Sequence, residues 1–146
     1  MRCAYAARMV AQHYKELDCW QLAHELKCEV IAFTAKMPAR ADRDFCDDIR
    51  ASARSAPSNI AEGFGRETHR DFAHFLSIAR ASLIETDNHL QDALDCEYIT
   101  QAEHERLSIL AHRALGATTA LQSYLLRTPD RRRSARRALH LAPRPS

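Results

Sequence analysis

The stretch THRDFAHFLSIARASLIETDNHLQDAL, residues 68–94, decides the fold. Phe72, Phe75, Leu76, Ala79, Leu83, Thr86, Leu90 and Leu94 recur at steps of three and four, which places them on one face of a helix of more than about six turns. Thr68 stands where a hydroxyl can cap its first turn. A helix of that length with a single apolar stripe is stable only against partners of similar length, and the flanking sequence supplies them. Upstream, Phe45, Ile49, Ala53, Ala56, Ile60 and Phe64 form a second stripe that starts in the acidic stretch at 42–48 and ends at Gly63 and Gly65. Further upstream, Trp20, Ala23, Leu26, Val30, Phe33 and Met37 form another, with Asp18 as N-cap and Pro38 as terminator. Downstream of a connection at 96–99, Thr100 and Glu103 spell a capping box before Leu107, Leu110, Ala114, Thr118, Leu121 and Leu125.

Four such helices with short connections pack as chain neighbours, so the expected fold is all-α: an antiparallel up-down-up-down four-helix bundle over residues 17–127. Residues 1–16 are expected to be loose, and residues 128–146 to form a disordered Arg-rich tail in which 135–141 can become helical on a partner. Pro57 lacks the N–H that would bond the carbonyl four residues back, so helix 2 is expected to kink there. Gly116, within the fourth stripe, reads as a point of close helix approach. Leu22, Ile31 and Ile78 lie off the main stripes and would be left without a mate in a solitary molecule.

Composition narrows the chemistry. In 146 residues there are only 3 glycines, so neither G-x-G-x-x-G nor a P-loop can be written, and nucleotide-cradling enzymes lose their usual signature. The net charge of +2 conceals an asymmetry: seven arginines face only Asp130 after residue 126, making that stretch +6 and leaving residues 1–126 at −4. Five cysteines without a C-x-x-C pair suit reduced thiols in the cytoplasm better than a disulfide frame or a zinc knuckle. No run approaches the length of a membrane span, and the stretch at 4–11 is interrupted by Arg8, unlike the apolar region of a signal peptide. Eight histidines invite a metal reading, but the Glu-x-x-His pair of di-iron bundles is missing; Glu85 and His89 are only four apart. No nucleophile sits on a strained turn beside a recognisable base, so the expectation is no enzyme, no cofactor and no small-molecule substrate.

The most informative segment is Ser55-Ala56-Pro57-Ser58-Asn59-Ile60-Ala61-Glu62-Gly63 with Arg66, followed by Phe72, Phe75, Leu76, Ile78 and Ala79. Together with the opening Leu17-Asp18-Cys19-Trp20-Gln21-Leu22-Ala23, it resembles the bacterial four-helix-bundle family known as 23S rRNA intervening-sequence, or S23 ribosomal, proteins. The resemblance runs to about residue 126, with Cys19 in place of a valine and a short Met37-Pro38 connection as departures. The sequence is also similar to the accessory protein of diversity-generating retroelements, a pentameric bundle that binds nucleic acid. The resemblance implies a noncatalytic homo-oligomeric scaffold, a pentamer, associated with RNA or a nucleoprotein. A protein–protein interaction module without nucleic-acid binding is the alternative.

Asn59 and Glu62 share one helical face, with Arg50 and Arg54 upstream and Arg66 downstream. Two readings stand side by side. Asn59 and Glu62 satisfy backbone groups freed at Pro57 and bond a neighbouring helix, or with Arg66 they form a polar network between subunits. Arg50, Arg54, Arg66, Arg70 and Arg80 either line a positive channel for phosphate in a ring of copies or form a solvated face balanced by acids. Arg131, Arg132 and Arg133 in the tail are either nonspecific phosphate contacts or a solubilising segment.

Overall fold

In the computed structural model, which describes residues 11–130, capping chemistry places the helices. The four helices are α1 (Asp18–Thr34), α2 (Arg43–Phe64), α3 (His69–Asp95) and α4 (Gln101–Arg127), with 3-10 turns at Tyr14–Glu16 and Ala39–Ala41; there is no strand among the described residues. Asp42 accepts from the Phe45 N–H and Thr68 from the Asp71 N–H, each satisfying an otherwise unpaired donor of a first turn. Thr100 and Glu103 close the expected capping box in both directions. Helix α3 ends in a Schellman arrangement, with Tyr98 N–H on Ala93 O and Glu97 N–H on Leu94 O, and Glu97 takes the left-handed conformation at φ 60°.

Helix α1 departs from expectation at both ends. Its N-cap is Leu17, extended and without a side-chain bond; Asp18 is the first helical residue instead. The entry is set by the preceding 3-10 turn, where Leu17 N–H bonds Tyr14 O and the Gln21 side chain holds Lys15 O. At the other end the helix stops at Thr34, which leaves Met37 in the connection and 70% exposed rather than on the stripe. The cause is Pro38, whose missing N–H cannot continue the helix onto the Thr34 carbonyl. That carbonyl accepts from the Cys46 thiol instead.

Each helix packs on its neighbours in the chain, and α1 closes against α4. The stripes meet in one core in which Leu26, Ile49, Ile60, Leu76, Leu83 and Leu90 are fully buried. Leu22 and Ile31 are half-buried, and Leu22 packs against that core, so of the three off-stripe residues only Ile78 remains exposed. Threonines on the stripes are buried too: Thr34, Thr86 and Thr118 each turn the hydroxyl onto the carbonyl four residues back, which removes the cost of burying it. Pro57 is buried inside α2, which continues past it to Phe64.

The close helix approach lies at Gly63, not at Gly116. A Cβ on Gly63 would come within 2.6 Å of Phe72 Cδ2 and 2.9 Å of Phe75 Cβ, whereas one on Gly116 would meet open space. Gly116 therefore only carries the helix penalty of its backbone freedom. Two substitutions to alanine should separate the roles: in urea unfolding, Gly116→Ala should raise stability by up to ~1 kcal/mol, and Gly63→Ala should lower it by ~1–3 kcal/mol through overpacking. Equal effects of the two would contradict this assignment.

Candidate nucleic-acid and assembly surface

The polar residues of the central segment sort into two groups. Along the seam between α2 and α3, small side chains bring hydroxyls from the two helices together: Ser55 Oγ lies 2.8 Å from Ser82 Oγ, and Thr86 Oγ1 lies 2.9 Å from Ser52 Oγ. Asn59 joins this seam from the same helix, its Nδ2 donating to Ser55 O at 2.8 Å and Ser55 Oγ at 3.1 Å. Its Oδ1 takes no hydrogen bond among the described residues. Glu62 points elsewhere, into a 2.6 Å ion pair with Arg66. The Arg66 guanidinium also lies 4.4 Å from the Phe75 ring centroid, so a residue beyond the helix end is tied back by charge and by the aromatic face. With both partners of the ion pair exposed, it contributes at most about 1 kcal/mol, and its effect is to orient Arg66.

The arginines do not form one group either. Arg50 leaves the α2–α3 side: its Nε donates to Thr34 Oγ1 of α1 at 2.7 Å. Arg80 reaches α4, donating to Gln122 Oε1 at 2.9 Å, with its Nε buried and unpaired, while Gln122 in turn donates to Ala73 O. Arg54 and Arg70 are exposed and make neither a hydrogen bond nor an ion pair through their side chains among the described residues. Arg131, Arg132 and Arg133 lie outside the described residues.

Several titratable groups pair with one another or with the backbone. Asp87 accepts from Ser108 at 2.7 Å and lies 3.0 Å from His112 Nε2, so hydroxyl and imidazole both lean on the carboxylate, whereas an activated serine needs its hydroxyl on the imidazole. His69 sits against the chain after α4, with Nδ1 2.9 Å from Thr128 O and its backbone N–H on Asp130. His89 stands between Glu85 and Asp92, at 3.8 and 3.5 Å. No group of three or more His, Cys, Asp or Glu side chains converges as for a metal ion among the described residues. Burial pushes the Cys19 thiol up to about 12, so it remains protonated and unreactive at neutral pH.

Residues 15–117 match the family model of the 23S rRNA-intervening sequence proteins, more than half of the chain. The chain belongs to that family. No curated protein matches it. The matched span holds Asn59, Glu62, Arg66 and the arginines at 50, 54 and 70, and it stops within α4, short of residue 126, to which the motif resemblance extends.

In this intervening-sequence protein one contact that no local pattern signals links two connections. Tyr98, placed by the Schellman turn, donates to Asp42 Oδ2 at 2.7 Å while Asp42 Oδ1 caps α2. The Tyr98 hydroxyl, then the Phe45 N–H, hold the Asp42 carboxyl below the usual carboxylate range; the same bond raises Tyr98 to about 12. A depressed carboxyl gives stability above its unfolded value and loses it as pH falls through the folded one. A raised phenol gives stability below its unfolded value and loses it as pH climbs towards the folded one. The stability lost in Tyr98→Phe should therefore be largest at neutral pH, and should shrink as pH drops below the ordinary carboxyl value of 3.8 and as it rises from 10 towards about 12. Urea unfolding of both proteins across pH checks this; a difference that does not vary with pH would contradict it.

Proposed function

We propose that this chain is a noncatalytic helical scaffold that assembles with copies of itself, five by resemblance, and associates with RNA or a nucleoprotein in the cytoplasm. The observation that carries the reading is the outer face of α3, where isoleucines without a mate accompany an arginine without a counter-ion. Ile78 and Ile84 of α3 are 38% and 56% exposed, with Ala81 exposed between them, and helical periodicity puts Arg70 and Ser77 on the same side. Arg54, also without a counter-ion, lies on α2 four residues after Arg50 and so on its α1 side, while Asn59 Oδ1 is free at the α2–α3 seam. The apolar strip suits a second copy, and the arginines suit phosphate.

The up-down order is part of this reading. Ser52 pairs with Thr86 and Ser55 with Ser82, so partner numbers fall along α3 as they rise along α2, which supports antiparallel neighbours. Pro57 supports a bend in α2, because the Ala53 carbonyl loses its helical donor there. The family name ties its members to intervening sequences of 23S rRNA, which favours RNA over a purely protein partner. The thiols of Cys19, Cys28, Cys46 and Cys96 are free, which suits a reducing compartment, and no helix among the described residues is long and apolar enough to cross a membrane. The engagement of Ser108, His112 and Glu62 in pairs that activate no nucleophile supports a role without catalysis.

Sedimentation of the full chain should give a mass several times 16.6 kDa, and Ile78→Asp with Ile84→Asp should return it to a single copy with its helical circular dichroism intact. A wild-type monomer would overturn the assembly. In filter binding, Arg54→Gln with Arg70→Gln should weaken RNA association even when Arg131, Arg132 and Arg133 are intact. Binding lost only when those three tail arginines are changed to glutamine would overturn a role for the body.

A further inference from the structure

A second basic feature lies at the opposite end of α2 from Asn59 and Glu62, where the α1–α2 connection meets the start of α2. An open groove of about 470 Å³ is lined there by Thr34, Arg40, Arg43, Cys46, Asp47 and Arg50, with Ala35. Arg43, Asp47 and Arg50 follow one another at i, i+4 and i+7, so α2 presents them on one side, and Arg40 comes from the 3-10 turn of the connection. Asp47 is the only carboxylate in the lining, which leaves the groove two positive charges in excess. None of the three arginines forms an ion pair among the described residues.

The groove is held in shape from below. The Cys46 Sγ lies 3.2 Å from Ala39 O and 3.6 Å from Thr34 O, its one hydrogen shared between the two carbonyls, which fastens the connection to α2. The Thr34 hydroxyl, fully buried, donates to Val30 O at 2.7 Å and accepts from Arg50 Nε at 2.7 Å. Arg50 is thereby fixed through one nitrogen, and its two terminal nitrogens have no hydrogen-bond partner among the described residues. A guanidinium anchored in this way loses less rotamer freedom when it binds, and its remaining fork fits the oxygens of a phosphate. Three guanidinium groups around an open groove suit a phosphate carried on a strand that runs through, which a closed pocket would not admit.

We propose that this groove binds a backbone phosphate of RNA through Arg40, Arg43 and Arg50. The inference rests on the RNA reading above and names a place on the body where the strand is held, separate from the α3 face and from the tail. The test uses the full chain, a fluorescent single-stranded RNA and a salt series. Arg40→Gln with Arg43→Gln removes two exposed charges from that single phosphate contact, and the slope of log affinity against log salt should shrink by up to about 0.7, the value of one phosphate contact on a single strand. Arg50→Lys keeps the charge but not the fork; it should weaken binding while leaving the slope near that of the wild type. Thermal melts of both variants verify folding. Wild-type binding with unchanged affinity and slope in Arg40→Gln with Arg43→Gln overturns the groove and leaves RNA association standing. No RNA binding by the wild type overturns both readings. In that case a shift of the Arg50 Nε resonance with inorganic phosphate alone would reassign the groove to a free anion.

Discussion

The close packing of α2 on α3 is the constraint from which the rest of the structure follows. At one end of the seam Gly63 leaves no room for a Cβ beside Phe72 and Phe75. Further along, Ser52, Ala56, Ala79 and Ser82 keep the side chains between the helices short. Short residues in a buried seam bring hydroxyls within reach of each other, and Ser55–Ser82 and Ser52–Thr86 pair as a consequence. Each such bond adds roughly 1 kcal/mol net, but a buried hydroxyl left alone costs ~1–3 kcal/mol, so the pairs fix the register of α2 on α3 more than they add stability.

That seam also decides which polar groups remain for partners. Asn59 is drawn into it through Ser55, and Arg66 is drawn back by Glu62 and Phe75, so the segment that is most distinctive in sequence is largely committed within the chain. Arg80 is likewise committed to α4, and only one nitrogen of Arg50 to α1. Arg54, Arg70, Arg40, Arg43 and the open fork of Arg50 are left as basic groups on the body, alongside the exposed isoleucines of α3. In the proposed reading, the apolar residues of this surface serve assembly and its uncommitted guanidiniums serve phosphate binding.

Periodicity and capping were sufficient to read the four helices, because Asp42, Thr68 and the Thr100/Glu103 pair act locally and their partners lie three residues away. The family was legible in the Ser55–Gly63 string, and the match over residues 15–117 agrees. The errors arose where distant parts of the chain compete. Asp18 looked like a cap until the 3-10 turn at Tyr14–Glu16 set the entry one residue earlier, and Gly116 looked like a packing glycine although Gly63 is the one facing another helix. Tyr98 on Asp42, Arg50 on Thr34 and the hydroxyl seam join residues 56, 16 and 27–34 positions apart, so no local pattern announces them. Serines recurring at 52, 55 and 82 beside the apolar stripes were the one available hint of a polar seam.

Native-state amide hydrogen exchange on the full chain tests most directly whether α2 against α3 is the last part of the molecule to open. Amides around Ser52–Gly63 and Phe72–Thr86 should exchange only through global unfolding and share the highest protection in the protein. Faster exchange there than in α1 and α4, through local opening with its own lower free energy, would contradict it.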